Sequence, residues 1–216
     1  MSSYDVTFQN AKISLHPSGC LTWDDEQLLV VSDLHLGKSS RMARRGGVLI
    51  PPYENIDTLA RLAEEVTRFN PKRVICLGDS FDDLRAMDEL GEQDTKQISA
   101  LMAGRDWVWI EGNHDAGPVN IGGTHLAELK INQITFRHIA KAEDSSEISG
   151  HFHPKAQLAG RSGACFLVDR TRIILPAFGT YTGGLRLSAP VLRDLMSDHA
   201  IAVMTGRKTR AFPAYA

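Results

Sequence analysis

The amino-acid sequence predicts an α/β fold in which a βαβαβ unit is followed by a second, mostly antiparallel sheet. Helical and strand-like hydrophobic periods alternate from about residue 28 to residue 111, with no Ser/Pro-rich linker, low-complexity tract or internal repeat between them. From residue 129 onward, short strand-like segments follow one another with little helix between them. The 216 residues are therefore predicted to form a single domain, 1–216.

The elements can be assigned in chain order. Two short strands, joined near Asn10, are predicted by YDVTFQN and AKISLHPSG, and a strand buried on both faces by the all-apolar run in LLVVSD. Apolar residues then recur at helical spacing between Pro51-Pro52 and Asn70-Pro71. A second buried strand is predicted by RVICLGD, a helix by TKQISALMAG and a third strand by WVWIEGNHD. The second sheet is predicted from ITFRH, EISGH, ACFLVD and RIILPAF.

Composition excludes several classes of protein. The chain has 24 Lys and Arg against 26 Asp and Glu, a net charge of −2, so it carries no strongly basic coat. No apolar run approaches the roughly 18 residues of a membrane helix, and the N-terminus lacks a signal-peptide pattern. We therefore expect a cytoplasmic protein with no membrane partner. Three widely spaced cysteines, Cys20, Cys76 and Cys165, predict reduced, buried thiols.

Polar residues follow each of the three predicted parallel strands. Asp33, Asp79 and Asn113 stand at or just after the strand ends, where ligand sites of α/β sheets lie. In an extended backbone, Asp33 and His35 would point to the same side and could hold one ion. An Asp after a strand is more often a helix cap or a turn former, so that pair alone is a weak signal.

Further histidines strengthen the interpretation. Gly112-Asn113-His114-Asp115 offers an amide oxygen, an imidazole and a carboxylate in one turn, and Gly150-His151-Phe152-His153 adds two imidazoles. The isolated residues His16, His125 and His199 are typical of core or surface positions. The whole set, in this order, predicts a metal site.

These motifs resemble the ordered signature of the calcineurin-like metallophosphoesterases. More narrowly, DLHLGK, RRGG followed by PP, LGDSF, GHFHP and LPAFGTYTGG resemble the bacterial ligase-associated DNA-damage-response endonucleases over nearly the whole chain. Those proteins are similar to manganese-dependent DNA nucleases that are associated with a DNA ligase and a helicase in repair.

The resemblance implies a four-layer α/β/β/α sandwich with two central mixed sheets and two divalent metal ions. The resemblance favours manganese, and the oxygen and imidazole donors, without thiolate, suit iron or zinc as well. The resemblance assigns the first ion to Asp33, His35, Asp79 and His153. It assigns the second to Asp79, Asn113, His138 and His151. Asp79 would bridge the two ions, and His125 is the competitor of His138.

The resemblance also implies catalytic residues. His114 would lie beside the metals and stabilise the transition state or protonate the leaving oxygen. Asp82 or Asp83 would orient it, although both could instead belong to a solvated acidic loop. The sequence reads GDSFDD where the family more commonly has GDSFHD, so Asp82 replaces a histidine.

Two basic segments are candidates for substrate binding. Lys38, Arg41, Arg44 and Arg45 lie between His35 and Glu54 with no acidic residue among them, and in a helix most of them would share one face. They could grip a DNA backbone or form a solvated helix end. The second segment contains Arg207, Lys208 and Arg210 and could be a frayed tail.

The expected function is that of a metal-dependent phosphodiesterase or DNA endonuclease in DNA repair, which attacks the phosphodiester with a hydroxide activated by two metals. DNA is the expected substrate, a DNA ligase and a helicase are the functional partners that the resemblance implies, and a homodimer is compatible with the sequence. A phosphoesterase of a small nucleotide or a phosphomonoester is the enzymatic alternative. A catalytically silent interaction module is the third interpretation, and the complete ligand set with His114 argues against it.

Overall fold

The structure is a computed structural model that describes residues 2–47, 49–117, 120–158 and 160–215. Within these ranges the strands are β1 (Tyr4–Phe8), β2 (Ala11–Leu15), β3 (Leu21–Trp23), β4 (Leu28–Val31), β5 (Arg73–Leu77), β6 (Asp106–Ile110), β7 (Thr124–Leu126), β8 (Glu128–Ile131), β9 (Ile134–Arg137), β10 (Glu147–Ser149), β11 (Lys155–Leu158), β12 (Arg161–Val168), β13 (Arg172–Ile174), β14 (Ile201–Met204) and β15 (Arg210–Pro213). The α-helices are α1 (Lys38–Arg44), α2 (Glu54–Phe69), α3 (Leu84–Asp88), α4 (Glu92–Met102) and α5 (Pro190–Leu195).

Local sequence signals explain where the longest helix begins and ends. Helix α2 starts after Pro51-Pro52, and Asn70 ends it in the left-handed conformation with its N–H bonded to the carbonyl of Val66. Pro71 cannot continue the helix. In the described part of the chain, no helix is both long enough and apolar enough to cross a bilayer.

The first sheet has seven strands in the order β1-β2-β3-β4-β5-β6-β7. Strands β1 to β4 are antiparallel neighbours, whereas β4, β5, β6 and β7 are parallel. The predicted βαβαβ unit is confirmed as β4-α2-β5-α4-β6. Its parallel strands direct the chain segments that follow them to one edge of the sheet.

The second sheet has the order β15-β14-β12-β13-β10-β9-β8, and β11 pairs with β12 at one end. Most neighbours are antiparallel, as predicted, but β10 runs parallel to both β9 and β13. The sheet is therefore mixed. Its parallel strands β9 and β10 deliver their following loops to the same edge.

The two sheets pack face to face and confirm the predicted four-layer sandwich. Between them lies a core that includes Val30 and Ile75 from the first sheet and Phe136 and Phe166 from the second. Helices α2 and α4 cover the outer face of the first sheet. The outer face of the second sheet is covered by α5, through Leu192, and by loops. All three cysteines are buried and free, as predicted.

The chain that follows β13 packs tightly against the loop that follows β4. The N–H of Phe178 donates to the carbonyl of Ser32, and the N–H of Gly179 donates to the carbonyl of Asp33. A Cβ at position 179 would lie 2.1 Å from the carbonyl oxygen of Leu34. The backbones therefore touch at a distance that excludes any side chain.

Gly179→Ala should lower the free energy of unfolding by about 2 kcal/mol or more, because the new methyl group overlaps a backbone that is fixed on both sides. The matched control is Gly183→Ala in the same loop, where a Cβ meets open space. The control should change stability by less than about 0.5 kcal/mol. Urea unfolding of both variants measures the difference, and equal stabilities would contradict the close packing.

Candidate metal centre

All the sequence-predicted metal ligands lie in loops that follow strands at one edge of the sandwich. In the first sheet, the loops after β4, β5 and β6 carry Asp33, His35, Asp79 and Asn113. In the second sheet, His138 directly follows β9, and the loop after β10 carries His151 and His153. The parallel strands of both sheets therefore deliver their polar ends to one place.

The first ligand group consists of Asp33, His35 and His153, whose ligand atoms all lie within 4.8 Å of one another. Asp33 Oδ1 and His153 Nε2 are 2.9 Å apart and buried, yet neither has a hydrogen-bond partner among the described residues. Two ligands at right angles around one ion, each about 2.1 Å from it, would be about 3.0 Å apart. Their spacing thus suits a shared cation.

The second group consists of Asp79, His138 and His151. His138 Nε2 is 3.3 Å from Asp79 Oδ2, 3.2 Å from His151 Nδ1 and 3.1 Å from Asn113 Oδ1. Four potential metal ligands, each from a different loop, thus surround one point. Asp79 stands between the two groups, because a third group joins it to His35 and His114.

The competing residue, His125, lies elsewhere. It belongs to β7, and its ring stacks on that of Trp109 with 6.4 Å between the centroids. The structure therefore brings His138, and not His125, to the candidate centre.

The backbone conformation of the ligand loops differs from the extended one that the sequence suggested. Asp33, His35, Asp79, His151 and His153 all have positive φ values, between 46° and 68°. Such values are uncommon for residues other than glycine and cluster at functional sites. Asp33 and His35 therefore converge through left-handed turns and not through the alternation of a strand.

One glycine allows the two sheets to approach each other at the centre. Gly78 has a φ of 72°, and a Cβ there would lie 2.5 Å from the ring of His138. The glycine therefore allows both the turn that presents Asp79 and the close approach of His138, a candidate ligand from the other sheet.

Three histidines are oriented through their Nδ1 atoms. His35 Nδ1 is 2.8 Å from Asp82 Oδ1, His138 Nδ1 is 2.8 Å from the carbonyl of Leu77, and His114 Nδ1 is 2.8 Å from the carbonyl of Asp82. Since these oxygens only accept, each Nδ1 carries the proton that it donates. The Nε2 atoms of His35 and His138 are left with lone pairs that point into the centre.

The structure corrects the expected orientation of His114. The carboxylate of Asp82 is completely buried and contacts His35 and the guanidinium of Arg41, at 2.8 Å from each. It is the backbone carbonyl of Asp82 that holds His114. Asp83 instead accepts a hydrogen bond from the N–H of Ala86 at the start of α3. The alternative interpretation, in which both residues belong to a solvated acidic loop, is therefore wrong.

The same contacts alter the interpretation of the first basic segment. Arg41 pairs with Asp82, and Arg44 pairs with Asp83 at 2.6 Å and with Glu89. Much of the positive charge predicted to grip DNA is therefore neutralised within the protein. Lys38 is the first residue of α1, and Arg45 directly follows its last residue.

Asp115 organises the site in a way that its sequence position did not reveal. It is buried, and its carboxylate accepts hydrogen bonds from the backbone N–H groups of Asp79, Ser80, Phe81 and Gly112, at 2.8–3.1 Å. Burial raises its pKa. The Gly-Asn-His-Asp motif indicates a carboxylate near the metal site, and in the structure this carboxylate joins the loops after β5 and β6.

The carboxylates at the centre remain ionised. Burial would raise the pKa of Asp33, but His153 and His138 hold it below its usual value. The pKa of Asp79 is likewise held down, against burial, by His138 and His114. For Asp82, burial is outweighed by hydrogen bonds from His35 and Arg41, which keep the pKa at about 2. Ionised oxygens, imidazole nitrogens directed at the centre and orphaned ligand atoms together fit divalent cations.

A sandwich of two mixed sheets with this ligand set at one edge defines a metal-dependent phosphoesterase. The calcineurin-like phosphoesterase family model matches residues 27–184, and the chain belongs to that family. Among solved structures, the chain is similar to the nuclease MPE of Pseudomonas putida, with a TM-score of 0.77 and 22% sequence identity over 98% of this chain and 100% of that one. None of the curated proteins matched the chain.

Asp82→Asn should weaken Mn²⁺ binding at the first ligand group by roughly 10- to 100-fold, because the neutral amide no longer supports the basicity and orientation of His35. Asp83→Asn is the matched control, since it keeps the oxygen that caps α3 and lies outside the contact with His35. Isothermal titration of both variants with Mn²⁺ measures the effect. Equal affinities in the two variants would rule out this role for Asp82.

Proposed function

We propose that this protein is a metal-dependent phosphodiesterase that cleaves DNA as an endonuclease in DNA repair. The observation that carries the proposal is the meeting of two ligand groups at Asp79, with His114 beside them. Family membership and the likeness to a nuclease structure support phosphodiester hydrolysis. The role in repair, and the functional association with a DNA ligase and a helicase in the cytoplasm, rest on the resemblance of the sequence motifs.

The residues would hold two divalent ions, with Mn²⁺ favoured. Asp33, His35, Asp79 and His153 would hold one, and Asp79, Asn113, His138 and His151 the other. Two such ions, when bound, supply an activated water and neutralise the charge that builds up on the phosphate. The protein's own contribution is to fix these side chains in advance, through the left-handed turns and the Nδ1 contacts.

His114 would move a proton in the proposed reaction. Its Nδ1 donates to the carbonyl of Asp82, and its Nε2 lies 4.0 Å from Asp79 Oδ2 on the open side of the centre. Its side chain is 27% exposed, so a substrate can reach it. In its protonated form, Nε2–H would donate to the leaving oxygen, which departs as an alcohol and not as an alkoxide.

A phosphoesterase of a small nucleotide or a phosphomonoester is the second candidate. It is favoured by the ion pairs of Arg41 and Arg44, which reduce the charge available to a long polyanion. The two candidates differ in the substrate that is hydrolysed. Metal-free protein reconstituted with Mn²⁺ and given plasmid DNA, linear single-stranded DNA and a chromogenic phosphodiester in parallel should cleave DNA. Hydrolysis of the small ester alone would favour the second candidate.

Asp79→Ala should abolish metal loading and activity together, because it removes the ligand shared by both groups. His114→Ala should retain the metals and lower kcat by roughly 10²- to 10⁴-fold, as expected for loss of a general acid. Metal content by elemental analysis and turnover of the same samples test this division of roles. An equal loss of metal in the two variants would refute it.

A further inference from the structure

Two clefts flank the candidate centre, and they differ in charge. One, of about 350 Å³, is lined by Asn113 and His138 together with two carboxylates, Glu111 and Glu128. Its cations are already paired, since Arg137 lies 3.0 Å from Glu128. Lys141, which also lines this cleft, lies 3.7 Å from Glu128 as well, so a phosphate backbone would find no unpaired cation among the described lining residues.

The other cleft, of about 450 Å³, adjoins the first ligand group. Among its lining residues, Gly179 donates its N–H to the carbonyl of Asp33, and Lys155 comes two residues after His153. A Cβ at Gly184 would lie 2.1 Å from the carbonyl oxygen of His153 and 3.1 Å from Lys155 Cε. The cleft therefore borders the backbone of the loops that carry Asp33 and His153.

The lining of this second cleft suits a nucleotide. The lining residues that the structure describes include no carboxylate; they are Ser18, Arg61, Lys155, Ser162, Gly163, Ala164, Ala177, Phe178, Gly179, Tyr181, Thr182 and Thr205. Lys155 provides a cation that forms no ion pair with any described residue, and five hydroxyls accompany it. Tyr181 has a φ of 62° and is 45% exposed, so its ring is available for stacking.

Basic residues continue beyond Thr205, which lines both this cleft and a neighbouring one of about 650 Å³. The neighbouring cleft is lined by Arg161, Arg207, Lys208 and Arg210, all exposed. The segment with Arg207, Lys208 and Arg210 is not a frayed tail, because β14 and β15 form an ordered antiparallel hairpin. Ile201 pairs with Pro213 at one end of this hairpin, and Met204 pairs with Arg210 at the other. The turn of that hairpin carries Arg207 and Lys208.

We infer that Lys155, Tyr181 and Thr205 seat the nucleotide next to the scissile phosphodiester, and that the hairpin cations bind the DNA backbone beyond it. This inference rests on the proposed function and gives the substrate a direction across the centre. The strand passes from the metals towards the β14–β15 turn and away from Glu111 and Glu128.

The general energetics of nucleic-acid recognition agree with separate sites for the nucleotide and for the backbone phosphates. Contacts between cations and phosphates supply affinity without reading sequence, and removing them weakens the salt dependence of binding. Stacking of a base on an aromatic ring adds affinity and tolerates every base. Of the two aromatic residues that line the cleft, Phe178 is buried and Tyr181 is exposed, so the described lining would stack one base, while the hairpin would bind phosphates.

The cations are tested with the triple variant R207Q/K208Q/R210Q. Its matched control is K12Q/K72Q/K96Q, which removes the same charge from exposed residues outside both clefts. Binding of fluorescently labelled single-stranded and duplex DNA to the full manganese-loaded chain is followed by anisotropy, extrapolated to the moment of mixing. The slope of log Kd against log salt concentration should fall by about 0.7–0.9 for each phosphate that is no longer bound by a cation, in the triple variant only.

The stacking residue is tested with Tyr181→Phe and Tyr181→Leu. Phenylalanine keeps the ring and leucine removes it at the same backbone position, so any strain is common to both. Leucine should weaken DNA binding by roughly 5- to 150-fold relative to phenylalanine, the effect of one stacked base. Circular dichroism and metal content verify that each variant is folded and loaded.

The proposal is overturned if the triple variant keeps the salt slope of its control, or if the leucine variant binds DNA as tightly as the phenylalanine variant. Failure of the proposed function looks different, because the wild-type protein would then bind DNA through these residues without cleaving it, whether or not it hydrolyses a small chromogenic diester. A wild-type protein that binds no DNA contradicts both.

Discussion

Four carboxylates are buried close together at one edge of the sandwich, and the need to compensate their charge governs the rest of the site. Asp115 is satisfied by four backbone N–H groups, and Asp82 by Arg41 and an imidazole. Asp33 and Asp79 receive backbone N–H groups and histidines but retain ligand atoms directed at common points. Since a buried charge is costly without a partner, the two groups are suited to hold cations.

This constraint explains the unusual backbone. Left-handed conformations at non-glycine residues cost about 1–3 kcal/mol each, and five candidate ligands adopt them. They persist because the surrounding loops leave no alternative: Gly78 packs on His138, Gly179 on Leu34, and Asp115 ties two loops together. The left-handed turns would thus fix the candidate ligands in place before any ion binds.

Sequence patterns predicted the strands of the parallel unit and the polar residues at their ends, because both follow from local periodicity and strand direction. They did not predict the left-handed turn at Asp33, since the same residues are compatible with an extended backbone. Nor could they predict the neutralisation of Arg41, because its partner Asp82 is 41 positions away. Sequence patterns also do not predict the β14–β15 hairpin, because its strands are short and its turn is as basic as a disordered tail.

The central claim is that the protein holds two metal ions that share Asp79. Electron paramagnetic resonance of the metal-free chain titrated with Mn²⁺ tests it most directly, because two ions about 3.5–4 Å apart are magnetically coupled. The account predicts that the spectrum of a coupled pair develops as the second equivalent binds. Saturation at one equivalent, or a second ion whose spectrum remains that of isolated Mn²⁺, would contradict it.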